Sequence, residues 1–157
     1  MCSRAFLGDK AFDEGYSMCE LPQIIGKKKV AVIGSGPAGL TCAAFLARSG
    51  VKVTIYEKYN ELGGILRYGI PDFRLSKDIL NRVIKQIINL GIDVKYGMEL
   101  GNNLSLCDLE KDFDAVFIAI GANISWKMNI PGEELDGVYG GNELLEKSNV
   151  FWWKAKS

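Results

Sequence analysis

Apolar and polar positions divide this chain into alternating strand-like and helix-like stretches. Val30 to Ile33 is an unbroken apolar run, the pattern of a short strand covered on both faces. Leu40, Ala43, Ala44 and Ala47 then recur on one face of a helix, and Gly50 sits where that helix would stop. Val51 to Tyr56 reads as a second strand ending at Glu57. Ser76 to Asn89 is the next clear helix: Ser76 can cap it, Asp78 suits its first turn, Leu80, Val83, Ile84 and Ile87 form its stripe, and Gly91 closes it. Ile92 to Tyr96 alternates like a half-buried strand, and a helical turn is expected around Leu106 to Leu109. Asp114 to Gly121 is a second continuous apolar run, expected as a buried parallel strand. Residues 1–26 carry little pattern beyond a short helix near Arg4 to Phe12. From Ala122 the chain reads as extended segments and turns, with a short helix over Asn142 to Glu146 and an unusual Phe151-Trp152-Trp153 near the end.

Between the first strand and its helix lies Gly34-Ser35-Gly36-Pro37-Ala38-Gly39, a G-x-G-x-x-G. In that setting Gly34 permits the tight turn, Gly36 lets backbone approach a pyrophosphate, and Gly39 lets the helix pack closely. The helix N-terminus offers free N–H groups and partial positive charge. Glu57, at the end of the second strand, is where an acid accepts hydrogen bonds from a ribose diol. The fingerprint alone also describes a Gly-rich turn. Strand, helix, second strand and terminal acid together point to a dinucleotide site. Gly121 should bring further N–H groups to the same sheet edge as Gly34.

A second glycine block follows in Leu62-Gly-Gly-Ile-Leu-Arg-Tyr-Gly-Ile-Pro71. Gly63, Gly64 and Gly69 suggest tight turns close to something flat or bulky. Arg67 and Arg74 can supply fixed charge to a phosphate or a reduced ring. The segment is too apolar for open surface, so it is expected to cover a ligand or a partner domain.

Composition narrows the classes. Nineteen basic and nineteen acidic residues balance, which gives no sign of nucleic-acid or anionic-membrane binding. No apolar run approaches a membrane span, and no signal-peptide core is evident at the N-terminus, so a soluble cytoplasmic protein is expected. Lys27-Lys28-Lys29 reads as a solvated turn rather than a basic docking patch. Histidine is absent, which removes the commonest general base and metal ligand. Cys42 is expected in the core and Cys107 as a simple thiol. Cys2 and Cys19 are too few for a four-cysteine cluster, although a reduced cluster-binding segment is the alternative.

Taken together, the two glycine blocks, Glu57, Phe73-Arg-Leu75, Ala119-Ile-Gly-Ala122 and Ile130-Pro-Gly-Glu133 resemble the small (beta) subunit of NADPH-dependent glutamate synthase and its flavoprotein relatives over about residues 28–146. The resemblance implies an α/β Rossmann-like fold with a central parallel sheet, in an incomplete FAD domain. It divides the chain into a lead-in (1–27), the first segment of an FAD-binding domain (28–146) and a tail (147–157). It implies FAD at the first fingerprint: Gly34, Gly36, Pro37, Ala38 and Gly39 on the pyrophosphate, and Glu57 on the adenosine ribose. Gly64, Ile65 and Leu66 would lie along the flavin, Arg74 on the cofactor, Leu100 at the adenine end, and Gly121 over the dinucleotide. No catalytic acid or base is then required. The family carries electrons from NADPH through FAD and iron–sulfur centres to a partner subunit. Its NADPH domain follows the segment ending near Leu145, but this chain has no second fingerprint. NADPH would therefore act only through segments absent here, supplied by a partner oxidoreductase subunit or by the missing remainder of the flavoprotein. Two other readings stay open: a non-catalytic half-domain that completes a flavoprotein in trans, and a simple NAD-binding module.

Overall fold

The computed structural model describes residues 3–15 and 26–156. The elements run α1 (Ser3–Asp13), β1 (Lys29–Ile33), α2 (Pro37–Arg48), β2 (Lys52–Glu57), α3 (Ile65–Tyr68), α4 (Lys77–Ile88), β3 (Asp93–Tyr96), α5 (Leu106–Asp112), β4 (Ala115–Ile118) and α6 (Gly141–Lys156). All four strands are parallel, in the order β3-β2-β1-β4. The expected Rossmann-like α/β architecture is therefore present.

Residue alternation along the central strands builds a core on each sheet face. Val32, Val53 and Ile55 point to one face, where they meet Leu40, Ala43 and Ala47 of α2 and Leu80 and Ile84 of α4. Ala31, Ile33 and Tyr56 point to the other, against Leu104 and Leu109. Removing a Leu or Ile of this kind from water contributes about 1.5–3 kcal/mol. Cys42 packs at the margin of the first cluster, and burial pushes its thiol pKa up; Cys107 is exposed.

The predicted helix ends follow their local signals. Gly50, at φ +81°, lets its own N–H return to the Ala47 carbonyl and that of Val51 to Leu46. The Ser76 hydroxyl accepts from the Asp78 N–H at 3.3 Å and opens α4. Within the lysine run, Lys28 pairs with Asp114 at 2.7 Å while the Lys29 N–H donates to the same carboxylate at 2.8 Å. Asp114 thereby ties the start of β1 to the start of β4.

Four expectations change. β4 is parallel but not buried: Phe117 is 40% and Ile118 50% exposed. It pairs on one side with β1, and among the described residues no strand pairs with its other edge. The second glycine block, expected as tight turns, also contains a helical turn, α3, and α5 extends to Asp112. The short C-terminal helix extends from Gly141 to Lys156 and packs against α3. It takes in Phe151-Trp152-Trp153, whose side chains lie outside the described residues, as do Cys2 and Cys19.

Candidate functional site

The C-terminal ends of the strands open into a cleft of about 870 Å³, within the size range of small-molecule sites. Its floor is the fingerprint loop between β1 and α2. Gly34 has φ +98°, and a Cβ there would lie 2.3 Å from the Ala119 carbonyl oxygen. A Cβ at Gly39 would lie 2.0 Å from the Gly34 carbonyl oxygen. These two glycines let the loop, α2 and the end of β4 close on one another. Gly36 differs: a Cβ would meet no atom within 4 Å. Its open side belongs to the cleft, and no side chain caps α2. The first N–H groups of that helix thus face an opening where an anion could sit.

The second glycine block packs onto the first. Gly64 has φ +50°, and a Cβ there would lie 2.7 Å from Gly36 Cα. The Gly63 N–H donates to the Ser35 hydroxyl at 3.1 Å. The close approach predicted for Gly64 is therefore to the fingerprint loop itself, whereas a Cβ at Gly63 would meet Arg67 of α3 and Leu80 of α4, each at 3.2 Å. Behind the block, Lys77 Nζ donates to the Leu66 carbonyl at 3.0 Å and to that of Ile70, and burial lowers its pKa. Arg67 does not serve a ligand. It is buried, pairs with Glu61, and donates to the Leu62 carbonyl and the Asn81 side chain. The expectation of fixed charge for a phosphate or ring is corrected for this residue, because its guanidinium is consumed in holding the loop to α4.

Glu57 closes β2 and is 4% exposed. One carboxylate oxygen accepts from the Ser35 N–H at 2.9 Å and from the Ser35 hydroxyl; the other accepts from the Tyr59 N–H at 3.0 Å. A carboxylate has about four lone-pair sites. Three are engaged, which leaves room for one ribose hydroxyl while Ser35 keeps its present bonds.

Of the residues expected at a cofactor, Gly34, Gly36, Pro37, Ala38, Glu57, Gly64, Ile65, Leu100 and Gly121 line this one cleft. Gly39 lies beneath it, against Gly34. Leu66 packs against the core instead. Arg74 is exposed beyond the turn in which its N–H donates to the Pro71 carbonyl, and it does not line the cleft. The structure adds Ser35, Lys58, Tyr59, Met98, Trp126 and Lys127 to the lining. Trp126 is 96% exposed at the rim. Ser35 had a readable signal, because the residue between the first two glycines faces the end of β2. Trp126 and Lys127 follow a strand end with no periodic pattern and had none. Among the described residues no cluster of metal-ligating side chains exists, and no helix is long and apolar enough to cross a membrane.

Comparison with known proteins matches the geometry. Residues 32–77 fit the family model of the NAD(P)-binding Rossmann-like domain. The chain is 43% identical over 141 residues to the glutamate synthase [NADPH] small chain of Mycobacterium tuberculosis (strain ATCC 25618 / H37Rv), which covers 90% of this chain and 29% of that protein. It is 41% identical over 144 residues to the corresponding small chain of Escherichia coli (strain K12), covering 89% of this chain and 30% of that protein. Among solved structures, Mycobacterium tuberculosis FprA in complex with NADPH superimposes with a TM-score of 0.71 at 25% identity, over 78% of this chain and 29% of FprA. The chain thus spans under a third of the length of these relatives.

Proposed function

The chain matches the glutamate synthase [NADPH] small chains over about nine-tenths of its own length, and on that footing we propose that its cleft binds FAD as part of an NAD(P)H-dependent oxidoreductase. The observation that carries this reading is the contact between the two glycine blocks. Gly64 rests on Gly36, so one continuous wall runs from the fingerprint loop to Ile65. A simple NAD module needs only the first block, whereas FAD, whose isoalloxazine is a larger ring system than nicotinamide, would extend along the second as well.

In this reading residues 28–146 form the cofactor-binding segment. The α2 N-terminus and the open side of Gly36 receive the pyrophosphate, with Gly34 and Gly39 shaping the turn and Pro37 and Ala38 at the helix start. Glu57 takes a ribose hydroxyl, Leu100 lies at the adenine end, Gly64 and Ile65 border the ring system, and Gly121 closes the far side. Leu66 and Arg74 take no direct part, since neither lines the cleft. Bound there, FAD supplies the conversion of a two-electron hydride into single electrons. This chain's own residues bind and orient it. NADPH, iron–sulfur centres and the electron acceptor belong to other segments or to a partner subunit.

A second reading, a half-domain completed in trans, is favoured by the outer edge of β4, which no strand pairs with among the described residues. Phe117, Ile118 and Ile120 are 40%, 50% and 60% exposed on a stretch whose composition suits burial. Isothermal titration with FAD, NAD and NADPH tests the cofactor assignment. Preference for FAD supports it, and preference for NAD returns the simple dinucleotide module. Gel filtration with a candidate partner subunit tests completion in trans: co-elution supports it, and separate elution opposes it.

A further inference from the structure

Tyr59 joins two parts of the molecule that the fingerprint does not connect. It lines the cleft two residues beyond Glu57, and its N–H donates to the Glu57 carboxylate at 3.0 Å. Its hydroxyl points the other way and donates to the Glu146 carboxylate of α6 at 2.6 Å. Its ring lies against Tyr68 with centroids 4.2 Å apart, and Lys58 Nζ stands 4.7 Å from its ring centroid. A second clasp runs beside the first: Asn149 Nδ2 of α6 donates to the Tyr68 carbonyl at 2.7 Å. The Tyr59 ring is therefore fixed at its backbone, its tip and its faces.

We infer that α6 is coupled to the nucleotide cleft through the Glu146–Tyr59 hydrogen bond, so that docking of this helix and binding of the dinucleotide strengthen one another. The inference rests on the cleft being the dinucleotide site. Glu146 acts as a positioning residue: it touches no ligand but holds the ring that forms part of the wall beside Glu57. If the bond is lost, Tyr59 gains rotamer freedom that a ligand must then restrict. Reciprocity follows, because a ligand that favours the fixed ring must also favour docked α6.

The test combines a double-mutant cycle with hydrogen exchange on the full chain. Tyr59→Phe and Glu146→Ala should each weaken FAD by about three- to ten-fold, a loss whose ceiling is the worth of the one hydrogen bond removed. The double variant should be no weaker than either single one. Glu146→Gln should stay within about two-fold of wild type, since its amide oxygen still accepts from the tyrosine. FAD should slow amide exchange over residues 142–150 in the wild type and not in Glu146→Ala, a response that a merely structural contact would not give. Binding of FAD by the wild type with unchanged affinity in both single variants overturns the coupling and leaves the cleft assignment standing. Independent losses that multiply in the double variant also overturn it. A wild type that binds no FAD refutes the cleft assignment, and with it the coupling.

Discussion

Glu57→Ala should unfold more easily even with no ligand present. Ser35 is 0% exposed, and its N–H donates to Glu57 at 2.9 Å. Truncation leaves that donor buried without its acceptor, at about 1–3 kcal/mol. The half-exposed Tyr59 N–H loses its partner as well, and the Ser35 hydroxyl must find a new one. The sum is on the order of 2–4 kcal/mol, a large part of the 5–15 kcal/mol typical of a whole domain. In urea unfolding this lowers the midpoint by about 1–2 M for a slope near 2 kcal/mol/M. The same substitution removes the one free acceptor site toward a ribose hydroxyl. FAD affinity should fall further, by about ten- to a hundred-fold, the effect of one charge-assisted bond. Circular dichroism in urea and titration with FAD separate the two effects. An unchanged midpoint would refute the argument that Glu57 holds the fingerprint loop. Unchanged affinity in a folded variant would remove Glu57 from the site.

Other expectations follow from the same geometry. Gly64→Ala forces a side chain into φ +50° and against Gly36 Cα at 2.7 Å, whereas Gly101→Ala meets positive φ with no atom within 4 Å; Gly64→Ala should be the more destabilising by about 1–3 kcal/mol, and equal urea midpoints would contradict this. The Lys28 ammonium and the Lys29 N–H hold the Asp114 carboxyl below its ordinary 3.8, so its contribution is present above that value and lost as pH falls through the lowered one. Asp114→Asn should therefore flatten the acid limb of a stability–pH profile, and an identical limb would argue against the link. Thiol labelling followed by peptide mass spectrometry should modify exposed Cys107 before Cys42, whose pKa is raised by burial; the reverse order would mean that α2 opens readily.

The parts of the fold that were legible in the sequence rest on local chemistry. Val30 to Ile33, the α2 stripe and Ser76 each carry their own signal, and the sheet faces follow from alternation. The burial of β4 was misread because an apolar run reports what a strand suits, whereas exposure depends on what lies beside it. Arg67 was misread for a related reason: charge near a glycine block is readable, but its partners Glu61 and Asn81 are set by the packing of α3 on α4. The first fingerprint and Glu57 were readable as one unit because spacing places them on adjacent strand ends. That Ser35 occupies much of the Glu57 carboxylate was not, since it depends on the shape of the turn. The contact of Tyr59 with Glu146 spans 87 residues and had no sequence signal at all.

The central claim, that this cleft holds FAD, is tested most directly by the visible absorption spectrum of the purified chain after FAD is added and free ligand is removed by desalting. A flavin band that remains with the wild type, and is lost or greatly reduced in Glu57→Ala under conditions where that variant is folded, is the predicted result. A wild type that emerges colourless, or a band that both proteins retain equally, would contradict it.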